Sequence, residues 1–100
     1  MKIKVRRLLV TLQIIPWVKF DVRIKDLELY DNEFHYYDEE RDIYVQNDGV
    51  QYFVEWFFPK EMSYSDILLC EKRAKELMIK HFQNKIEFFE KLMIEVKRNI

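Results

Sequence analysis

SDILLCEKRAKELMIKHFQNKIEFFEKLMIEVKRN, residues 65–99, holds neither proline nor glycine, and its apolar residues recur every three or four positions. Ile67, Cys70, Ala74, Met78, Phe82, Ile86, Phe89, Met93, Val96 and Ile100 take nine steps over 33 residues, a mean of about 3.7. That period belongs to a straight amphipathic α-helix of about nine turns and roughly 50 Å. A compact domain of this length has a radius of gyration of about 13 Å and a diameter near 35 Å. The helix must therefore bend back, overhang its domain, or pack on a second chain. Ser63 or Ser65 can cap it, Asp66 suits its first turn, and Lys97 and Arg98 suit its last. Lys80 to Lys85 is its weakest stretch and the place for any kink.

Ahead of the helix the period changes to two. Residues 17–25 alternate, with Val18, Phe20, Val22 and Ile24 on one side and Lys19, Asp21, Arg23 and Lys25 on the other. Residues 2–12 form another strand, but its apolar parity switches between Val5 and Leu8, which predicts a bulge near Arg6–Arg7. A short strand is expected over 33–37 and a charged loop over 38–42. Asn47-Asp48-Gly49 marks a hairpin joining strands over 43–46 and 50–58. In the last of these Val50, Tyr52, Val54, Trp56 and Phe58 share a face. The fold class is α+β: a four- to five-stranded antiparallel sheet, mostly meander, over residues 1–58, followed by a long helix over 63–99 packed on one face. All of it forms a single domain over 1–100.

Composition narrows the function classes. With 49% apolar and 16% aromatic residues a core needs no staples, and the lone cysteine, Cys70, lies on the apolar stripe of the helix as a core residue of a reducing compartment. No apolar run is long enough to span a membrane, and the basic N-terminus lacks the features of a signal peptide, so a cytoplasmic protein is expected. His35, His81 and Cys70 are dispersed without metal-ligand spacing, and the single glycine excludes a phosphate-cradling loop. No cofactor, metal or catalytic residue is expected. One glycine and one alanine beside abundant Ile, Lys, Phe, Tyr and Asn suggest AT-rich codons, hence a low-GC bacterium or a phage or mobile element within one.

Charge is segregated. Residues 1–25 carry seven bases and one acid; residues 26–55 carry ten acids and one base; the remainder is nearly balanced. Three candidate surfaces follow. Tyr36, Tyr37, Asp38, Glu39, Glu40, Asp42 and Tyr44 form an acidic, tyrosine-rich protein-binding candidate. If the first two strands pair, Lys2, Lys4 and Arg6 share a wet face with Lys19, Arg23 and Lys25, with Trp17 placed to stack on a base, a nucleic-acid-binding candidate. The second half of the helix fits a heptad, with Ile79, Ile86, Met93 and Ile100 at one position and Phe82, Phe89 and Val96 at the other, an oligomer-interface candidate. A homodimer is the simplest way to cover so broad a stripe. The functional expectation is a small non-enzymatic regulator or inhibitor, encoded by a phage or mobile element, that binds a host protein. The alternatives are a nucleic-acid-binding accessory protein and a structural or assembly subunit.

Overall fold

The computed structural model describes residues 1–39, 44–59 and 61–100. Four strands, β1 (Lys2–Gln13), β2 (Lys19–Tyr30), β3 (Gln46–Asn47) and β4 (Gln51–Phe58), precede one helix, α1 (Tyr64–Arg98). They form an antiparallel sheet in the order β2-β1-β4-β3, so the fold is α+β with a long C-terminal helix on one face. The order departs from a meander at one point: two hairpins, β1–β2 and β3–β4, are joined through β1 and β4.

The near face of the sheet is built from even-numbered residues. Leu8 and Val10 of β1 meet Trp56 and Val54 of β4, and Cys70, Ala74 and Met78 of α1 close over them. Each large side chain removed from water here stabilises the fold by about 1.5–3 kcal/mol. The helix lies over β1 and β4 and leaves β2 at the margin. Phe20 and Ile24, read as buried by their alternation, are on the near face but about 43% exposed.

The expected bulge is absent. The β1–β2 register runs unbroken from Lys2↔Tyr30 to Gln13↔Lys19. The parity switch arises because β1 contributes to both faces: Leu8 and Val10 face the helix, whereas Val5 is buried on the far face. Phe34 packs there on Phe57, with ring centroids 5.4 Å apart. The strand expected over 33–37 shrinks to one bridge between Tyr36 and Phe57, with the Tyr37 amide donating to the Phe57 carbonyl at 2.7 Å. Flanking that bridge, Phe34 reaches the far face of β4 and Tyr37 the near face, so the segment straddles a sheet edge instead of extending it.

The hairpin over 47–49 forms as read. Gly49 takes φ +92°, a value that favours glycine. The Asp48 carboxylate accepts from the Val50 and Gln51 amides, and those amide donors hold its carboxyl below the usual range. Of the strand expected over 43–46, Gln46 belongs to β3, Tyr44 and Val45 precede it as coil, and Ile43 lies outside the described residues.

Ser63 is the N-cap of α1. Its hydroxyl accepts from the Asp66 amide and the Asp66 carboxylate accepts from the Ser63 amide, a complete capping box. The helix runs through residues 80–85 without interruption. Its 35 residues span about 52 Å, whereas the 8 residues of β4 span about 27 Å. The helix accordingly overhangs: every residue from Gln83 to Ile100 is exposed, the longest dimension is 60 Å and the radius of gyration is 17.1 Å.

Leu8→Ala is expected to cost about 2–5 kcal/mol in urea denaturation, because it opens a cavity beneath the helix. Glu87→Ala on the projecting half should change stability by less than about 0.5 kcal/mol. Comparable losses at both positions would mean that the far half of α1 is packed.

Candidate functional site

The three surfaces read from the sequence fare differently once the chain is folded. In the acidic, tyrosine-rich candidate, Tyr37 is partly buried and packs against the core. Its ring stacks on Phe58 at 5.4 Å and meets Trp56 edge-on at 6.0 Å, and burial pushes its hydroxyl pKa up. Tyr36 is partly exposed and set edge-on to Phe34 at 5.0 Å. Tyr44, Asp38 and Glu39 are exposed. Glu40 and Asp42 lie outside the described residues. A tyrosine pair free for a partner is therefore not what this segment offers, because Tyr37 is needed against Trp56.

The basic candidate is divided by register. Antiparallel partners share a face, and Lys4 pairs with Glu28 and Arg6 with Asp26. Lys4 and Arg6 thus lie on the near face, whereas Lys19, Arg23 and Lys25 lie on the far face beside Gln13, Leu9 and Arg7. Both sets are also interleaved with acids. The Arg6 guanidinium donates to both carboxylate oxygens of Asp26, at 2.7 and 3.1 Å, and Glu61 lies 3.9 Å away. The hydrogen bonds to Arg6 hold the Asp26 carboxyl below its usual range. On the far face Arg23 binds Asp21 at 2.8 Å and Arg7 approaches Glu55 at 3.6 Å. Trp17 sits in the β1–β2 connection and is largely exposed. The shared positive face expected from the sequence does not form. A one-residue offset in register decides which charges become neighbours, and sequence spacing does not set that offset.

The helical candidate survives as an exposed surface. Phe82 is half-buried, its ring edge-on to Tyr52 at 4.8 Å. Among the described residues none covers the stripe beyond it: Ile86, Phe89, Met93 and Val96, like Ile79 before it, are 53–63% exposed, with Phe88, Leu92 and Ile94 alongside. Monomeric proteins rarely leave so large an apolar patch in water unless it is a contact surface. Sequence reading missed the companion surface on β2, where Phe20 and Ile24 stand exposed on the near face and Lys75 of α1 reaches over the Phe20 ring at 5.0 Å; Val18, in the connection just before β2, is exposed as well. Alternation shows which residues share a face, and the width of the covering helix decides which of them are covered.

Other polar groups do not converge on a reactive centre. Cys70 is buried, and burial pushes its thiol up to about 11, leaving it protonated and unreactive at neutral pH. Among the described residues no group of three or more His, Cys, Asp and Glu side chains is placed to hold a metal ion, and no helix is long and apolar enough to cross a membrane. His81 packs between Tyr52 and Phe82, with its Nε2 buried and without a partner. Burial, with a smaller contribution from Lys85, lowers its pKa.

No family model, curated protein or solved structure matches the chain.

Two outcomes are expected from this packing. Tyr37→Ala should destabilise the fold by about 2 kcal/mol through lost aromatic burial, whereas Tyr44→Ala should shift the urea midpoint little; the reverse order would return Tyr37 to the surface. His81 favours its neutral form when folded, so the unfolded chain takes up the proton first. The stability this group contributes is full above the ordinary histidine range and falls as pH drops through it. His81→Phe should thus gain on the wild type when urea melts at about pH 7.5 and pH 5 are compared, and parallel pH profiles would contradict this placement.

Proposed function

We propose that this chain is a small non-enzymatic regulator or inhibitor that acts by docking on protein, with the projecting half of α1 as its working surface. The observation that carries the reading is the run of exposed apolar residues from Ile86 to Val96 on a helix that has outrun its sheet. An amphipathic helix of this kind enters an apolar groove through anchors three or four residues apart on one face, and Ile86, Phe89, Met93 and Val96 follow one another at steps of three, four and three. The partner is a host protein if the AT-rich residue usage reflects a phage or mobile element in a low-GC bacterium. The nucleic-acid alternative lacks comparable support, since its basic residues are divided between two faces and interleaved with acids.

The test is affinity capture from a low-GC bacterial lysate with wild type and a Phe89→Glu, Met93→Glu double variant, each with and without nuclease. A stoichiometric protein is expected that survives nuclease and is lost with the variant. Identical capture by both forms, or partners that vanish with nuclease, would defeat the reading.

A further inference from the structure

The stripe of α1 that faces the sheet continues past the sheet's end. Met78 and Phe82 belong to the core packing, and the same run of three- and four-residue steps goes on through Ile86, Phe89, Met93 and Val96 into solvent. Where the helix leaves the sheet, Phe82 packs on Tyr52, and Tyr52 is registered with Leu12. The β1–β2 connection and the 48–50 turn lie at this same end, joined by the Ile14 amide donating to the Val50 carbonyl at 3.0 Å. This end is apolar too: Ile15, Trp17, Val18 and Val50 are at least half exposed. The projecting helix and the sheet end thus expose apolar side chains at the same end of the molecule, the two arms of one candidate surface.

We propose that this surface is covered by a second copy of the chain, with the projecting halves of two α1 helices packed antiparallel about a two-fold axis. The inference rests on the docking reading above: in the free protein a second copy holds the face that a host protein would take in its place. Its geometry is self-complementary. The 18 exposed residues from Gln83 to Ile100 extend about 27 Å. When two such segments overlap fully, the Ile100 tip of each reaches its partner's Phe82, beside the exposed apolar connection. Each copy thereby covers both arms of the other's surface.

The area is of the right order. The seam residues Ile86, Phe89, Met93, Val96 and Ile100 are 53–99% exposed. At about 100 Å² each they offer on the order of 500 Å², and the exposed side chains of the sheet end add to it, toward the roughly 800 Å² per partner of a stable interface. Ile79, Ile86, Met93 and Ile100, with Phe82, Phe89 and Val96, supply the a and d spacing that a like helix reads. Charge agrees. The segment from Gln83 to Ile100 carries four bases and three acids in mixed order, so two copies meet without a net field between them. The basic polar face that an anionic membrane surface selects is missing. Antiparallel packing also sets the two helix dipoles in opposition, which favours it over the parallel arrangement.

Sedimentation equilibrium of the full chain at tens of micromolar should give twice the 12.5 kDa chain mass. The Phe89→Glu, Met93→Glu variant should give the single mass with the circular dichroism of the wild type. Oxidation should cross-link Leu92→Cys, which lies near the axis, but not Ile100→Cys, whose two copies lie at opposite ends; buried Cys70 does not compete. A monomeric wild type, a dimer that survives the double variant, or cross-linking through Ile100→Cys would each overturn the antiparallel dimer. A monomeric wild type that still captures a protein through the same face would leave the docking reading standing. A dimer whose capture is unaffected by the double variant would remove that reading and keep the dimer.

Discussion

The structure turns on a mismatch in length. A helix advances about 1.5 Å per residue and a strand about 3.3 Å, so a helix matched to the 8 residues of β4 needs roughly 18 residues. This helix has 35. Its first half finds partners in Leu8, Val10, Val54 and Trp56, and its second half has no sheet beneath it. The absence of helix breakers keeps the two halves continuous, so the surplus extends as a straight projection. The 60 Å dimension and the exposed stripe both follow from that mismatch.

A projecting helix would fray in water if it had to nucleate alone, since the first turn is costly and isolated short helices are marginal. Here nucleation is complete before the projection begins. Ser63 and Asp66 close the first turn, and Cys70, Ala74 and Met78 fasten the next three to the sheet. The remaining turns add one hydrogen bond per residue to an existing helix. At the far end the Arg98 guanidinium pairs with Glu95 at 3.0 Å, and the Asn99 side chain donates to the Glu95 carbonyl at 2.7 Å. The projection is thus supported at its root by tertiary contacts and along its length by local ones, while its apolar face is left exposed.

The charges tell a complementary story. The sequence separates bases from acids by tens of residues, which suggests a bipolar molecule. Antiparallel pairing undoes much of that separation by setting Arg6 against Asp26 and Lys4 against Glu28. Such surface pairs contribute little stability, at most about 1 kcal/mol each. Their consequence is that the sheet presents a mixed field, which leaves apolar area on the helix as the stronger candidate for recognition.

Some of this was legible from sequence because it depends on local periodicity. The 3.6-residue repeat of 65–99, the Ser63 and Asp66 cap and the Gly49 turn each depend on nearby residues, and each formed; the strand read over 17–25 formed as Lys19–Tyr30, with Trp17 and Val18 left in the connection before it. The excess length of the helix was also legible, because rise per residue is a constant of the backbone. What lay beyond reach depends on long-range pairing. Whether Lys4 faces Lys19 or the opposite side is set by a register in which positions sum to 32, and no local pattern carries that number. Tyr37 looked like interface and packs against the core because a single bridge to Phe57 carries it over the edge of β4 onto Trp56. Phe20 and Ile24 looked buried and remain half exposed because one helix covers two strands and not three. Sequence alone determined the long helix with its cap, the two long strands and the Gly49 turn, since backbone hydrogen bonding and side-chain periodicity act over a few residues. The tertiary structure alone decided which faces meet water, because burial depends on what a distant segment leaves uncovered.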